Sequence, residues 1–126
     1  MTVGYDRSFV APCDCLIATL ACGFADGWAR ANSNVGKVGL RGRRYQLAGK
    51  VCMDMLMVNL GPPGGPGSDV ECGDYAVLFG EGGVPLKEYA AGLGTAQSDV
   101  TCELTRRVAR RYVHLPEGWV APGPPP

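Results

Sequence analysis

The sequence predicts a mainly β domain, barrel-like or Greek-key in type, with about six short strands and one or two short helices. Short apolar segments alternate with turn residues at regular spacing, as in small all-β domains. The 19 glycines and 10 prolines are concentrated between these segments, where they interrupt strands and helices. No alternation of strand and long helix, which would predict a parallel sheet, is present. We expect one domain over residues 1–121 and a proline-rich tail over 122–126.

The first two strands are predicted near the amino terminus. Residues 3–10 form the first, and the period of two places Tyr5, Arg7 and Phe9 on one face. Leu16–Leu20 is apolar, short and partly β-branched, which favours a strand over a helix.

The middle of the chain is predicted to contain a loop, a hairpin and a long strand. Residues 23–34 are dense in Gly, Asp and Asn and form the loop. Lys37–Leu40 and residues 44–47 form the hairpin, with Gly42 at its turn. Residues 51–60 are apolar on both faces, which predicts a central strand.

The last third of the chain is predicted to contain strands at residues 74–79 and 110–115, with two helices between them. Pro85 fits the first turn of a short helix that passes through Tyr89 and ends near Gly92 and Gly94.

Ser98 resembles the N-cap of the second helix, which is predicted to run through Leu104.

Composition excludes several classes of partner. The 12 basic and 12 acidic residues balance, so the chain as a whole has no charge that would attract nucleic acid or a membrane surface. No apolar run approaches the ~20 residues that span a bilayer. Polar and charged residues follow Met1 closely, unlike a secretory signal. We expect a soluble, cytoplasmic protein.

The six cysteines are interpreted first as buried or free thiols, since no Cys-x-x-Cys pair occurs and His114 is the one histidine. Disulfides and a metal site remain alternatives.

Three short segments carry the functional signal: residues 3–6 (Val-Gly-Tyr-Asp), 23–28 (Gly-Phe-Ala-Asp-Gly-Trp) and 51–54 (Val-Cys-Met-Asp). Together with Ala11-Pro12 and Ile17-Ala18-Thr19, they resemble the C-terminal domain of alanine racemase. The resemblance runs from residue 3 to about residue 112, and a strand that family members carry ahead of the first segment would precede Met1. It implies an isomerase of D-alanine and cell-wall biosynthesis, which uses pyridoxal phosphate and works as a dimer.

The resemblance implies that Tyr5 is a catalytic acid/base. The family has Val-Ser-Tyr-Gly where this chain has residues 3–6, and its tyrosine transfers a proton to or from the substrate. An unperturbed phenol has a pKa of ~10, so stabilisation of the phenolate would help, and Arg7 is expected to contribute. An ordinary strand tyrosine is the alternative.

Met53 matches the methionine of the family's Cys-Met-Asp segment, which implies that its main-chain amide binds the substrate carboxylate. A core methionine is the alternative. Asp54, beside it, is expected to line the pocket and to support the turn through side-chain hydrogen bonds.

Two departures from the family pattern concern the pocket entrance. Phe24 stands where the family usually has tyrosine, so a hydroxyl is lost there. Ser98 stands where relatives commonly have the tyrosine of Asn-Tyr-Glu, which would open the pocket to larger amino acids such as serine. The alternative is that Ser98 only caps a helix.

The cofactor lysine is not found among Lys37, Lys50 and Lys87, none of which lies in a segment that resembles the family's lysine motif. The resemblance therefore implies that a pyridoxal-phosphate barrel, in another chain or a missing segment, is the partner of this domain. Tyr5 would act in trans within a homodimer, and this chain alone would be inactive. A non-catalytic interaction module and a cysteine-based redox or metal protein are the alternatives.

Overall fold

The computed structural model describes residues 1–112 and 117–118, and this part of the chain is mainly β. Its strands form three small antiparallel sheets, ordered β1-β2, β3-β6 and β5-β4-β7. The sheets do not close into a barrel within the described residues. The strands are β1 (Thr2–Val3), β2 (Phe9–Val10), β3 (Leu16–Leu20), β4 (Lys37–Leu40), β5 (Arg43–Gln46), β6 (Leu56–Gly61) and β7 (Ala76–Val77), followed by the helices α1 (Leu86–Leu93) and α2 (Gln97–Glu103).

The prediction of one strand over residues 3–10 is wrong. The chain reverses in a 3₁₀ turn at Tyr5–Arg7, so that β1 pairs with β2. Gly4, Asp6 and Arg7 have φ values of +77°, +57° and +51°, which a continuous strand does not contain. Tyr5 and Arg7 therefore do not share a strand face.

The strand predicted at residues 51–60 begins only at Leu56. Before it, the Cys52 amide donates to the Met55 carbonyl at 2.9 Å and closes a turn. Within β6 the even-numbered residues are buried, and β3 covers one edge of the strand while Leu47 bridges to Val58 on the other. The strand is central, but it has six residues where ten were predicted.

The hairpin prediction is confirmed, with the second strand one residue earlier than expected. Arg41 and Gly42 form its two-residue turn with φ values of +48° and +73°, as a type I′ turn requires. On its other edge, β4 pairs with β7. The strand predicted at 74–79 is thus only two residues long, at Ala76–Val77.

The first helix is confirmed, with Pro85 as N-cap and Gly94 as a left-handed C-cap at φ +68°. In α2 the N-cap is Ala96, so Ser98 lies in the first turn and is not the cap.

No strand forms at residues 110–112, which corrects the prediction of a last strand there. The rest of that predicted strand, with His114 and the tail at 122–126, lies outside the described residues.

The core lies between the sheets and α1. Trp28 is 2 % exposed and packs against Phe79 and Tyr89, with ring centroids 6.2 and 4.6 Å away. All six cysteines are free thiols. Neither α1 nor α2, nor any other helix in the described part of the chain, has the length and apolarity to span a membrane.

Candidate active site

Four of the five site residues expected from the sequence line one open cleft of about 360 Å³. Its walls come from the Tyr5 turn, the loop after β3 and the turn before β6. The cleft is lined by Tyr5, Phe24, Arg30, Val51, Cys52, Met53, Asp54 and Met55. The fifth residue, Ser98, does not line it but lies exposed on α2, where its carbonyl accepts a hydrogen bond from Thr101.

Tyr5 is presented to solvent at the edge of this cleft, with 69 % of its surface exposed. Its turn is fastened to the segment that leads into residues 51–55. The side chain of Asn34 donates to the Ser8 carbonyl at 3.2 Å and accepts from the Gly49 amide at 2.7 Å. Asp6 forms an ion pair with Lys50. The phenol is therefore accessible while the backbone beneath it is held from two sides.

The loop at residues 23–26 is joined to the turn before β6 through main-chain hydrogen bonds. The Phe24 amide donates to the Cys52 carbonyl at 2.9 Å, and the Ala25 amide donates to the Met53 carbonyl at 3.0 Å. A Cβ atom at position 23 would overlap both carbonyl oxygens, so only glycine permits this approach. The two predicted motifs are thus one structural unit.

Met53 lies at the surface rather than in the core, with 57 % of its surface exposed. Its carbonyl is used by Ala25, but its amide N–H has no acceptor among residues 1–112. The Met53 amide is therefore a main-chain donor at the cleft that can donate a hydrogen bond to an anion.

Arg107 connects the two loops electrostatically. Its Nη1 lies 2.6 Å from Oδ1 of Asp54, and its Nε lies 3.1 Å from Oδ1 of Asp26. The hydrogen bond with Asp54 is the main cause that raises the pKa of the Arg107 guanidinium. Asp54 thus holds the rim of the cleft through Arg107, which is distant in sequence. The expectation was that Asp54 would support its own turn.

Sequence reasoning missed Arg107, Asn34 and Arg30. Arg30 places its guanidinium carbon 5.7 Å from the centroid of the Phe24 ring, a cation–π distance, and so adds a positive charge to the wall. Arg30 follows the 23–28 motif by two residues, which is the signal that could have found it. Arg107 and Asn34 have no local signal, because their partners are remote in sequence.

Among the described residues, no lysine lines the cleft, so its lining offers no amine for the Schiff base of pyridoxal phosphate. The cleft offers a phenol, an amide and a guanidinium, which are groups that can transfer a proton or bind an anion. A cofactor would need its anchoring lysine from elsewhere.

Comparison with known proteins identifies the family of this chain. The alanine racemase C-terminal domain family matches residues 1–112. The alanine racemases of Cutibacterium acnes and Chlorobaculum tepidum are 39 % and 40 % identical over 89 % and 88 % of this chain, but over only 30 % and 28 % of their own lengths.

Solved structures give the same result. The biosynthetic alanine racemase of Pseudomonas aeruginosa superposes with a TM-score of 0.79 at 38 % identity, over 90 % of this chain and 30 % of that one. The enzyme of Bartonella henselae, with covalently bound pyridoxal phosphate, has a TM-score of 0.77 at 29 % identity, with the same coverage. The chain therefore belongs to the alanine racemase C-terminal domain family and spans about 30 % of the length of the curated relatives.

Proposed function

We propose that this chain is the part of a pyridoxal-phosphate-dependent alanine racemase that supplies the Tyr5 acid/base for interconversion of L- and D-alanine. The observation that carries the proposal is the exposed Tyr5 phenol at a cleft shared with Met53 and Phe24. Racemisation requires proton transfer on both faces of the α-carbon, hence two acid/base groups. The cofactor, when bound, delocalises the charge left on that carbon.

Tyr5 is suited to serve one of these faces. Its ring reaches solvent rather than the core, so a neighbouring domain can approach the hydroxyl. The Asn34 and Lys50 contacts hold the turn below it, which limits the motion of the phenol relative to the cleft.

The Met53 amide and the wall residues serve binding. A substrate carboxylate can accept a hydrogen bond from the Met53 amide, and the positive charge of Arg30 favours an anion in the same cleft. Phe24, without a hydroxyl, contributes an apolar wall. Asp54 positions the rim of the cleft through its ion pair with Arg107.

The partner of this surface is a lysine-bearing barrel domain. The chain matches less than a third of its relatives' length, and the cleft has no lysine among its described lining residues. In the assembly, Tyr5 acts on the cofactor site of the other subunit of a homodimer.

The test uses a chimera in which this chain follows the barrel domain of the Cutibacterium acnes racemase. We expect Tyr5→Phe to lower kcat about 10²- to 10⁴-fold, in the range of general acid–base catalysis, with a small effect on KM. Tyr75→Phe is the matched control, because Tyr75 is 94 % exposed and does not line the cleft.

Exchange in D₂O separates catalysis from folding. If Tyr5 serves a single face, Tyr5→Phe loses racemisation but retains α-proton exchange from one enantiomer through the remaining base. If the chimera is active and Tyr5→Phe leaves kcat unchanged, this domain is a non-catalytic module.

A further inference from the structure

We propose that Cys13 and Cys15 form a redox-active dithiol, which reacts with a low-molecular-weight disulfide of the glutathione type and closes into an intrachain disulfide. The two Sγ atoms lie 3.6 Å apart in the turn between β2 and β3. This pair plays no part in the cleft, and the inference does not depend on racemase activity.

The geometry favours exchange between these two sulfurs. Cys13 is exposed and Cys15 is half-buried, so an outside disulfide can reach the pair. The Cys15 thiol also lies 3.3 Å from the Cys13 carbonyl, which keeps the two side chains on the same side of the turn. Within residues 1–112, no other two cysteines are joined by a hydrogen bond.

The number of ligands argues against a metal as the occupant. Within the described residues, no three Cys, His, Asp or Glu side chains come together as a metal-ligand group. Two thiols suffice for disulfide formation, whereas a tetrahedral thiolate site needs two more ligands.

The reaction balances without another reactant. The Cys15 thiolate attacks one sulfur of the small disulfide, forms a mixed disulfide and releases one thiolate. In the dithiol, the hydrogen bond with Cys15 raises the pKa of the Cys13 thiol above its usual value. In the second step, Cys13 loses its proton and attacks Cys15 Sγ. The Cys13–Cys15 bond forms and the second small thiolate leaves. Two protein thiols are oxidised by two electrons, and their two protons go to the released thiols.

The experiment equilibrates the 126-residue chain in oxidised and reduced glutathione, quenches with acid and alkylates the remaining thiols. We expect the oxidised protein to lose two alkylation sites without retaining glutathione. Cleavage before Asp6, Asp14 and Asp26 should leave fragment 6–13 joined to fragment 14–25. Because Cys22 lies in the second fragment, the same link must persist in Cys22→Ala.

The Cys13→Ser variant removes the resolving thiol. We expect it to accumulate glutathione on Cys15 at least about tenfold more than the wild type does, because the second exchange step is lost. Cys72→Ser, at an exposed cysteine outside the pair, should behave as the wild type. The proposal is overturned if Cys13 and Cys15 are both still alkylated after equilibration in excess oxidised glutathione, or if the link between the two fragments disappears in Cys22→Ala. It is also overturned if Cys13→Ser retains no more glutathione on Cys15 than the wild type does.

Discussion

Arg107 Nη1 lies 2.6 Å from Oδ1 of Asp54, across the rim of the cleft, while the same guanidinium also holds Asp26. One side chain that follows α2 thus connects the 23–28 loop to the 51–55 turn. Its removal should loosen both loops at once.

We expect Arg107→Ala to lower Tm by a few degrees, and Arg107→Lys to fall between it and the wild type, because an ammonium cannot reproduce the two-sided contact of a guanidinium. Arg44→Ala is the control, since the Arg44 side chain pairs with the exposed Glu88 at 3.2 Å and does not contact the cleft loops in any ion pair among the described residues. That variant should change Tm by less than about 1 °C. Equal effects in thermal melts would mean that Arg107 does not connect the loops.

Gly23→Ala should destabilise the domain by about 1–3 kcal/mol, since the added methyl forces the two loops apart. The hydrogen bonds from Phe24 and Ala25 to the turn would lengthen together. Urea unfolding measures the loss.

Gly92→Ala is the matched substitution in α1, where an added Cβ meets nothing within 4 Å. It should stabilise the protein by about 0.4–1 kcal/mol by restricting the unfolded chain. A similar loss in both variants would show that general sensitivity to alanine, not crowding at position 23, is the cause.

Tyr89→Phe should lower the free energy of unfolding by about 1–3 kcal/mol. The hydroxyl that is lost accepts hydrogen bonds from the side chain of Asn32 at 2.9 Å and from the Ala29 amide at 3.2 Å. Asn32 is only 6 % exposed, so water cannot easily replace the lost acceptor. Tyr75→Phe, on a fully exposed ring, should leave the free energy of unfolding unchanged.

Cys22 should make stability fall at alkaline pH. Burial, then the negative charge of Asp26, raises the pKa of the Cys22 thiol from 9.0 to about 11. The folded protein keeps this proton to higher pH than the unfolded chain does. The resulting stabilisation is complete below pH 9 and is lost as the pH rises to about 11.

Urea unfolding between pH 8 and 11 measures this effect. Cys22→Ala should flatten the decline in the free energy of unfolding, while Cys72→Ala should not. An unchanged slope in Cys22→Ala would assign the decline to other groups.

Asp6 should contribute to the stability of the domain through both its backbone conformation and its charge. Asparagine tolerates the left-handed φ of +57° that alanine disfavours, but it cannot pair with Lys50. We therefore expect Tm to fall slightly in Asp6→Asn, by less than about 2 °C, and further in Asp6→Ala.

Salt distinguishes the two contributions. In 1 M NaCl the difference between the wild type and Asp6→Asn should disappear, because the exposed ion pair is screened. The difference between Asp6→Asn and Asp6→Ala should remain. If all three proteins converge in salt, the backbone contribution is absent.

Much of the fold was predictable where a local pattern determines the structure. Residues 16–20 form a strand, as their apolar, β-branched composition indicates. Gly42 closes a hairpin because glycine readily adopts the positive φ that this turn requires. Proline and glycine bounded α1 correctly. The prediction of a long strand at 51–60 was wrong because apolar composition does not reveal the turn at Cys52, which hydrogen bonds from Phe24 and Ala25 stabilise.

By itself, the sequence determined the mainly β class, the family and the segments that carry Tyr5, Phe24, Met53 and Asp54, because these are encoded in short contiguous patterns. Only the tertiary structure decided that the four residues share one cleft while Ser98 stands apart, and that Arg107 and Asn34 hold the loops. Such contacts join residues that are tens of positions apart, and their energies depend on distance and burial, which no local pattern records.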